Sequence, residues 1–385
     1  MYEYFDKNYA WNLTAVTLIE EVGTITQPAE AFEAAAPFQD SDPVEASVAW
    51  HDAMVAMGEN LERYAERDLA DGHGLTASRK FHRAAMFFIR AERIMSHDDP
   101  RQMAAYRRAI ANYRKAREHA KDGVEFIEIP FEDGMMPGLL VKAEDVQGKP
   151  APIVIHIQGF DSIKETQFPM FQEYRRRGLS ILIMDQPGAG GAIRLHGLKA
   201  RHDSETYVSK IVDWIKKRPD LATDRIGLQG ISLGGYFAPR AAAFEPRIRA
   251  VACWGALFDW PTLWAKRLAN PDDSHPSVTN PLKHAMWTFG TGTQAELLGV
   301  IQKMTLAGVV ERIDCPLLVI HGENDRQVPV SQAQETYDRA KMEDKTLKIF
   351  TKKEGGAEHC QIDNRAIAAD YVSDWFASRL VGRPD

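Results

Sequence analysis

The sequence predicts an α/β fold: a mostly parallel sheet with helices on both faces, a helical region ahead of it and a helical insertion within it. Three observations carry this expectation. From residue 123 onward, short apolar runs alternate with amphipathic segments, the pattern of strands joined by crossover helices. Gly230-Ile231-Ser232-Leu233-Gly234-Gly235 stands between one such run and an alanine-rich helical segment. Asp325 and His359 each follow a later apolar run, and parallel strands gather the loops at their carboxyl ends along one edge.

Taken in order, residues up to about 122 read as helices. Trp50, Met54, Met57, Leu61 and Tyr64 recur at spacings of four, three, four and three, which places one apolar stripe on a helix. Met103, Tyr106, Ile110 and Tyr113 do the same further on. Between them lies an apolar helix around 81–95, and Asp99-Pro100 supplies an N-cap and a first-turn proline for the next. This pair has the character of a helical-repeat hairpin. No second copy follows, so a packed helical subdomain is expected rather than a partner-binding solenoid.

Runs at 124–131 and 139–143, split by Glu132-Asp133-Gly134, predict an antiparallel hairpin at the sheet edge. Strands are then expected at 153–157, 180–185, 225–229 and 248–254, with helices near 166–177, 204–217 and 233–244. Pro187-Gly188-Ala189-Gly190-Gly191 reads as a turn. The alternation breaks between 258 and about 313, where a helical cap insertion carries Trp260, Trp264, Trp287 and Phe289. Strands at 317–321 and 347–350 resume the pattern, and a helix at 362–380 ends it. The expected domains are a lid-forming helical region, 1–122, and a core, 123–385, containing the cap.

Small residues flanking Ser232 allow a strained strand-to-helix turn that presents a hydroxyl. The competing reading makes Ser232 a helix N-cap and the glycines relief at a tight turn. A serine hydroxyl needs a base, and the base an orienting acid. His359 and Asp325 supply them in the chain order Ser, Asp, His. Glu323 and Glu358 are rival acids, read as solvated loop charges. The backbone N–H of Leu233 is the expected first donor to a developing oxyanion, and that of Phe160, in the loop after strand 153–157, the second. The alternative for that loop is that Gly159 only ends a strand.

Gln158-Gly159-Phe160-Asp161-Ser162-Ile163-Lys164-Glu165, then Asp185-Gln186-Pro187-Gly188-Ala189-Gly190, then the Ser232 turn, resemble the α/β-hydrolase group that contains 2,6-dihydroxypseudooxynicotine hydrolase, FrsA-like esterases and fungal pigment-polyketide-shortening hydrolases. The resemblance implies an α/β-hydrolase fold with a helical region before the core. It implies a cofactor-independent hydrolase that cleaves either an ester or a carbon–carbon bond beside a ketone. Gln158 departs from the group, which usually has a second glycine there. Asp259 is the nearest carboxylate to match an extra acid in the pseudooxynicotine enzyme, and it reads equally as a helix N-cap.

Trp260, Trp264, Trp287 and Asp259 are therefore the candidate substrate-binding residues, with the insertion's own core as the alternative for the tryptophans. The expected function is hydrolysis of a carbon–carbon bond next to a ketone in a small aromatic or diketone-type molecule. Ester hydrolysis is the main alternative; peptidase activity and a noncatalytic regulatory role are weaker ones. A net charge of −7 over 385 residues, without a basic cluster, argues against nucleic acid. The first residues lack the basic segment and apolar run of a secretory signal, and no apolar run is long enough to span a membrane. Three cysteines at unpatterned spacings fit neither a disulfide framework nor a zinc site, and a cytoplasmic location is expected. No metal or cofactor is expected. A homodimer is implied by the resemblance alone.

Overall fold

A computed structural model describes residues 1–144, 146, 148–270 and 275–382. They form two compact units, Met1–Gly123 with His275–His284, and Val124–Ser274 with Ala285–Asp385. The expected cap insertion partly falls on residues 271–274, which lie outside the described residues.

The first unit contains helices α1 (Tyr9–Val22), α2 (Thr26–Ala35), α3 (Pro43–Ala70), α4 (Gly74–Ile94) and α5 (Pro100–Ala120). Their starts are written in the sequence: Asn8 accepts from Trp11 N–H, Asp42 from Val44 N–H and Asp99 from Arg101 N–H, the last two followed directly by proline. The α3 stripe is buried at Trp50, Met54 and Leu61, whereas Tyr64 is 46% exposed, with Arg63, Arg67 and Lys80 around its ring. Phe5, Trp11, Phe32 and Trp50 make the aromatic centre, with ring centroids 4.8 Å apart for Trp11 and Trp50. Beside it, Glu21 of α1 and Arg90 of α4 form a buried ion pair.

The second unit is built on an eight-stranded sheet. The strands are β1 (Glu125–Phe131), β2 (Gly134–Val141), β3 (Ala151–Ile157), β4 (Ser180–Met184), β5 (Leu221–Ile231), β6 (Ile248–Trp254), β7 (Leu317–Gly322) and β8 (Lys345–Phe350). Their spatial order is β1-β2-β4-β3-β5-β6-β7-β8. β1 and β2 form the expected antiparallel hairpin, β2 runs antiparallel to β4, and every other pairing is parallel. All seven residues of β3 are buried, as expected for a central parallel strand covered on both faces.

Helices α9 (Glu205–Ile215), α10 (Gly234–Ala242), α14 (Val330–Arg339) and α15 (Arg365–Leu380) are the crossover and closing helices. The single helix expected near 166–177 is instead two short ones, α6 (Lys164–Gln167) and α7 (Gln172–Arg176), separated by a 3-10 turn. Pro169 lies in that turn and offers no N–H to an α-helix. The turn expected at 187–191 runs directly into α8 (Gly190–His196), whose two leading glycines hide it from a propensity reading. The insertion contributes α11 (Trp260–Ala269), α12 (Pro281–Phe289) and α13 (Gln294–Ile301), the last opened by a Thr293/Glu296 capping box.

Candidate active site

β5 delivers Ser232 and α10 leads away from it. Ser232 has φ 57°, a left-handed conformation uncommon for a residue with a side chain. The turn is held by Ser232 N–H to the Trp254 carbonyl at 2.8 Å and Gly235 N–H to the Ser232 carbonyl at 2.7 Å. Gly230 is required here: a Cβ on it would lie 2.1 Å from the Gly234 carbonyl oxygen. The geometry is therefore a strained strand-to-helix turn, and its serine is not an ordinary helix cap.

His359 Nε2 lies 2.9 Å from Ser232 Oγ, and its Nδ1 lies 2.7 Å from Asp325 Oδ2. Three side chains from loops after β5, β7 and β8 thus form one hydrogen-bonded chain. The Asp325 side chain is fully buried and that of His359 nearly so. Burial favours the neutral carboxyl of Asp325, yet the charge and hydrogen bond of His359, with help from His321 and the Val328 N–H, hold it below its ordinary value. Burial likewise disfavours the His359 imidazolium, but Asp325, with a contribution from the adjoining Cys360, raises His359 well above 6.5. Such a chain lets the serine proton pass to Nε2 while the carboxylate stabilises the resulting charge. The rival acids are engaged elsewhere: Glu323 accepts from Lys352 N–H, and Glu358 pairs with Arg326 at 3.5 Å.

The loop after β3 approaches the serine so closely that a Cβ on Gly159 would lie 2.9 Å from Ser232 Cβ. Gly159 N–H donates to Ser162 Oγ at 2.8 Å. Gln158, which stands where a glycine is usual, is fully buried and exchanges two hydrogen bonds with Gln186: its N–H donates at 2.8 Å and its carbonyl accepts at 2.9 Å. Those two bonds use the Gln158 backbone; the larger side chain is itself anchored by Nε2–H to the Met184 carbonyl at the end of β4, at 3.0 Å. Lys164 fastens the far side of the loop, its N–H and Nζ each 2.9 Å from Asp185, which also accepts from Gly191 N–H. The Leu233 N–H has no acceptor among the described residues.

Of the candidate substrate residues, Trp260 packs edge-on against Phe160 with centroids 5.7 Å apart, and Trp264 packs on Trp260. Trp287 sits elsewhere in the insertion, under Arg194 and Lys199. Asp259 caps α11, accepting from Thr262 N–H at 3.2 Å. Sequence reading missed two polar residues. His321 adds a second imidazole to Asp325, 3.2 Å from Oδ2. Asp363 gathers the N–H groups of Gly356, Ala357 and Glu358 at 3.0–3.1 Å, fixing the loop that presents His359. The four-residue spacing of His321 and Asp325 was visible, but His321 read as the end of an apolar strand. Asp363 gave no signal. Among the described residues no cluster of three or more His, Cys, Asp or Glu is placed to hold a metal ion, and no helix is long and apolar enough to cross a membrane.

A sheet in this strand order, with a serine on the left-handed turn after β5 and Asp and His on later carboxyl-end loops, defines an α/β-hydrolase. Comparison with known proteins narrows the class: the sequence model described as Esterase FrsA-like matches residues 51–349, and the chain belongs to that family of hydrolases. It is 28% identical over 337 residues to the 2,6-dihydropseudooxynicotine hydrolase of Paenarthrobacter nicotinovorans, covering 87% of this chain and 85% of that one. It is 31% identical over 324 residues to the 20-hydroxy-prefusarin hydrolase of Gibberella moniliformis, covering 75% and 76%. The crystal structure of the 2,6-dihydroxy-pseudo-oxynicotine hydrolase matches it with a TM-score of 0.77 at 26% identity, over 95% of both chains.

Proposed function

We propose that this hydrolase works through Ser232 as nucleophile, His359 as general base and then acid, and Asp325 as the group that orients the imidazole. The observation that carries the reading is the unbroken Ser232–His359–Asp325 hydrogen-bond chain, at 2.9 and 2.7 Å. Ser232 Oγ attacks a carbonyl carbon while His359 Nε2 accepts its proton. The oxyanion is held by the Leu233 and Phe160 amides. Collapse breaks the bond to the leaving group, which takes the proton back from His359, and leaves an acyl-enzyme. Water, deprotonated by the same imidazole, attacks the acyl carbon, releases a carboxylic acid and restores the serine.

We assign a carbon–carbon bond beside a ketone as the scissile bond, in a small aromatic or diketone-type substrate whose departing carbon leaves as a stabilised enolate or electron-rich arene carbanion. Support comes from relatives named for pseudooxynicotine and prefusarin hydrolysis and from Trp260 against Phe160, which favours a flat ring beside the oxyanion amides. Ester hydrolysis is the second reading, favoured by the family description. A panel of acylphenols, β-diketones and p-nitrophenyl esters separates the two: efficient turnover of short esters without any ketone cleavage removes the carbon–carbon assignment. Fluorophosphonate labelling lost in Ser232→Ala tests the nucleophile itself. A wild-type protein that does not label would support a noncatalytic role. We also place the enzyme in a reducing cytoplasm, which its three unpaired buried cysteines suit, and as a homodimer, which light scattering tests.

A further inference from the structure

Two imidazoles converge on Asp325, and the proposed reaction uses only one of them. His321, the fifth residue of β7, has no solvent exposure. Its Nε2 lies 2.8 Å from the Val328 carbonyl and 3.2 Å from Asp325 Oδ2. Both neighbours are acceptors, so the proton of a neutral ring belongs on Nε2, where it is hydrogen-bonded to the Val328 carbonyl with Asp325 Oδ2 close beside it. Burial lowers the pKa of His321 and keeps the ring neutral. Its Nδ1 is then a buried lone pair with no partner among the described residues.

Val328 ties the arrangement together. Its N–H and that of Gln327 donate to Asp325 Oδ1 at 2.8 and 2.9 Å, while its carbonyl is held by His321. The Asp325 carboxylate therefore accepts two amides on Oδ1 and the His359 imidazole on Oδ2, with the His321 ring 3.2 Å from that same oxygen. We propose that His321 is a positioning residue: it holds the Asp325 carboxylate in the orientation His359 requires and shares the charge of Oδ2. This rests on the reading of Ser232, His359 and Asp325 as one catalytic set.

The inference separates positioning from simple packing. Asp325 is faced by His359 and His321 and, at longer range, by Arg267 of α11; His359 is faced by Asp325, Cys360 and Ser232. Removing the His321 donor leaves Oδ2 more basic, which further stabilises the His359 imidazolium. The pH at which His359 becomes an available base then rises. A residue that only fills space would affect stability and leave that pH unchanged.

The test is the pH dependence of Ser232 labelling by a fluorophosphonate, which needs no knowledge of the substrate. His321→Leu removes the donor and keeps the bulk; His321→Gln returns an N–H near the position of Nε2. The leucine variant is expected to label about tenfold more slowly, the rate equivalent of losing one buried hydrogen bond, here that to the Val328 carbonyl, with its acid limb moved to higher pH. The glutamine variant is expected to recover most of both. A leucine variant that labels like wild type, with its limb unmoved, overturns the proposal while a slow Asp325→Asn control keeps the catalytic set intact. If Asp325→Asn and His359→Ala also label normally, the catalytic reading itself falls. Should the leucine variant not fold, ¹⁵N-histidine spectra of the wild type decide: Nε2–H on His321, with a shift that moves as His359 titrates, is expected, and an Nδ1–H tautomer or an unresponsive signal refutes it.

Discussion

At φ 57°, Ser232 stores backbone strain that neighbouring close contacts impose, and in the proposed mechanism its hydroxyl depends on His359 for reactivity. Ser232→Ala and His359→Ala are expected to lower turnover to the same extent, about 10⁶-fold, because members of such a set act as a unit. Steady-state kinetics on one responsive substrate checks this, and a His359→Ala enzyme of near-normal activity refutes the assignment. Asp325→Asn is expected to cost about 10⁴-fold. The pH dependence follows from the direction of the His359 shift: only the neutral imidazole can accept the serine proton, so kcat/KM should rise with pH through a value above 6.5. An acid limb below 6.5 contradicts it. The same raised value favours the folded state below about pH 6.5, and that contribution fades as pH climbs through the folded pKa. Asp325, held low, acts in the opposite sense: its contribution is present above about pH 3.9 and fades as pH falls through its folded value.

Between elements, the ion pair joining α1 to α4 is a buried contact that is costly to disrupt. Glu21 has no side-chain exposure and Arg90 only 5%, and Arg90 Nε donates to Glu21 Oε2 at 3.1 Å. Glu21→Leu strands the guanidinium away from its carboxylate and should destabilise the helical unit by about 3–5 kcal/mol, whereas adding Arg90→Met should return much of that loss. Urea unfolding followed by circular dichroism measures both; a single variant as stable as wild type contradicts the prediction. The loop after β3 offers a second comparison at this scale. Lys164 and Asp185 brace it from inside the protein, so Lys164→Met should leave the buried Asp185 carboxylate with two backbone amides but without the ammonium of Lys164, and displace the Phe160 amide. A fall in kcat larger than any rise in KM is the expected signature of a donor that matters mainly in the transition state.

For the whole molecule, thiol chemistry reports on the integrity of the sheet unit. Cys253, Cys315 and Cys360 are 0%, 8% and 2% exposed. Burial raises the Cys253 thiol well above its usual range, and burial with the nearby Asp314 pushes Cys315 up to about 12. Thiolate is the reactive form, so native protein should be nearly inert to Ellman's reagent at pH 8 and should release three equivalents of colour on unfolding in guanidinium. Fast reaction of the native protein would show that the sheet unit opens far below its global unfolding threshold.

The succession of strands along the chain, the glycine-flanked serine and the chain order Ser232, Asp325, His359 were legible in the sequence because each is a local pattern: alternating apolar runs, a turn that only small residues permit, and loops that must follow parallel strands. Even the competing acids could be set aside on position. The breaks at Pro169 and Gly190 were less legible, since a two-glycine helix start and a 3-10 interruption carry weak propensity signals. His321 and Asp363 could not be assigned at all. Their importance comes from what they touch, a carboxylate oxygen four residues on and three amides of another turn, and a sequence states neither contact. Sequence alone thus determined the alternation of strands and helices and the identity of the three candidate reactive side chains, through periodicity and backbone sterics. Tertiary structure alone decided which buried hydrogen-bond partners hold those side chains, because buried polar groups are satisfied across distances in the chain that no local pattern encodes.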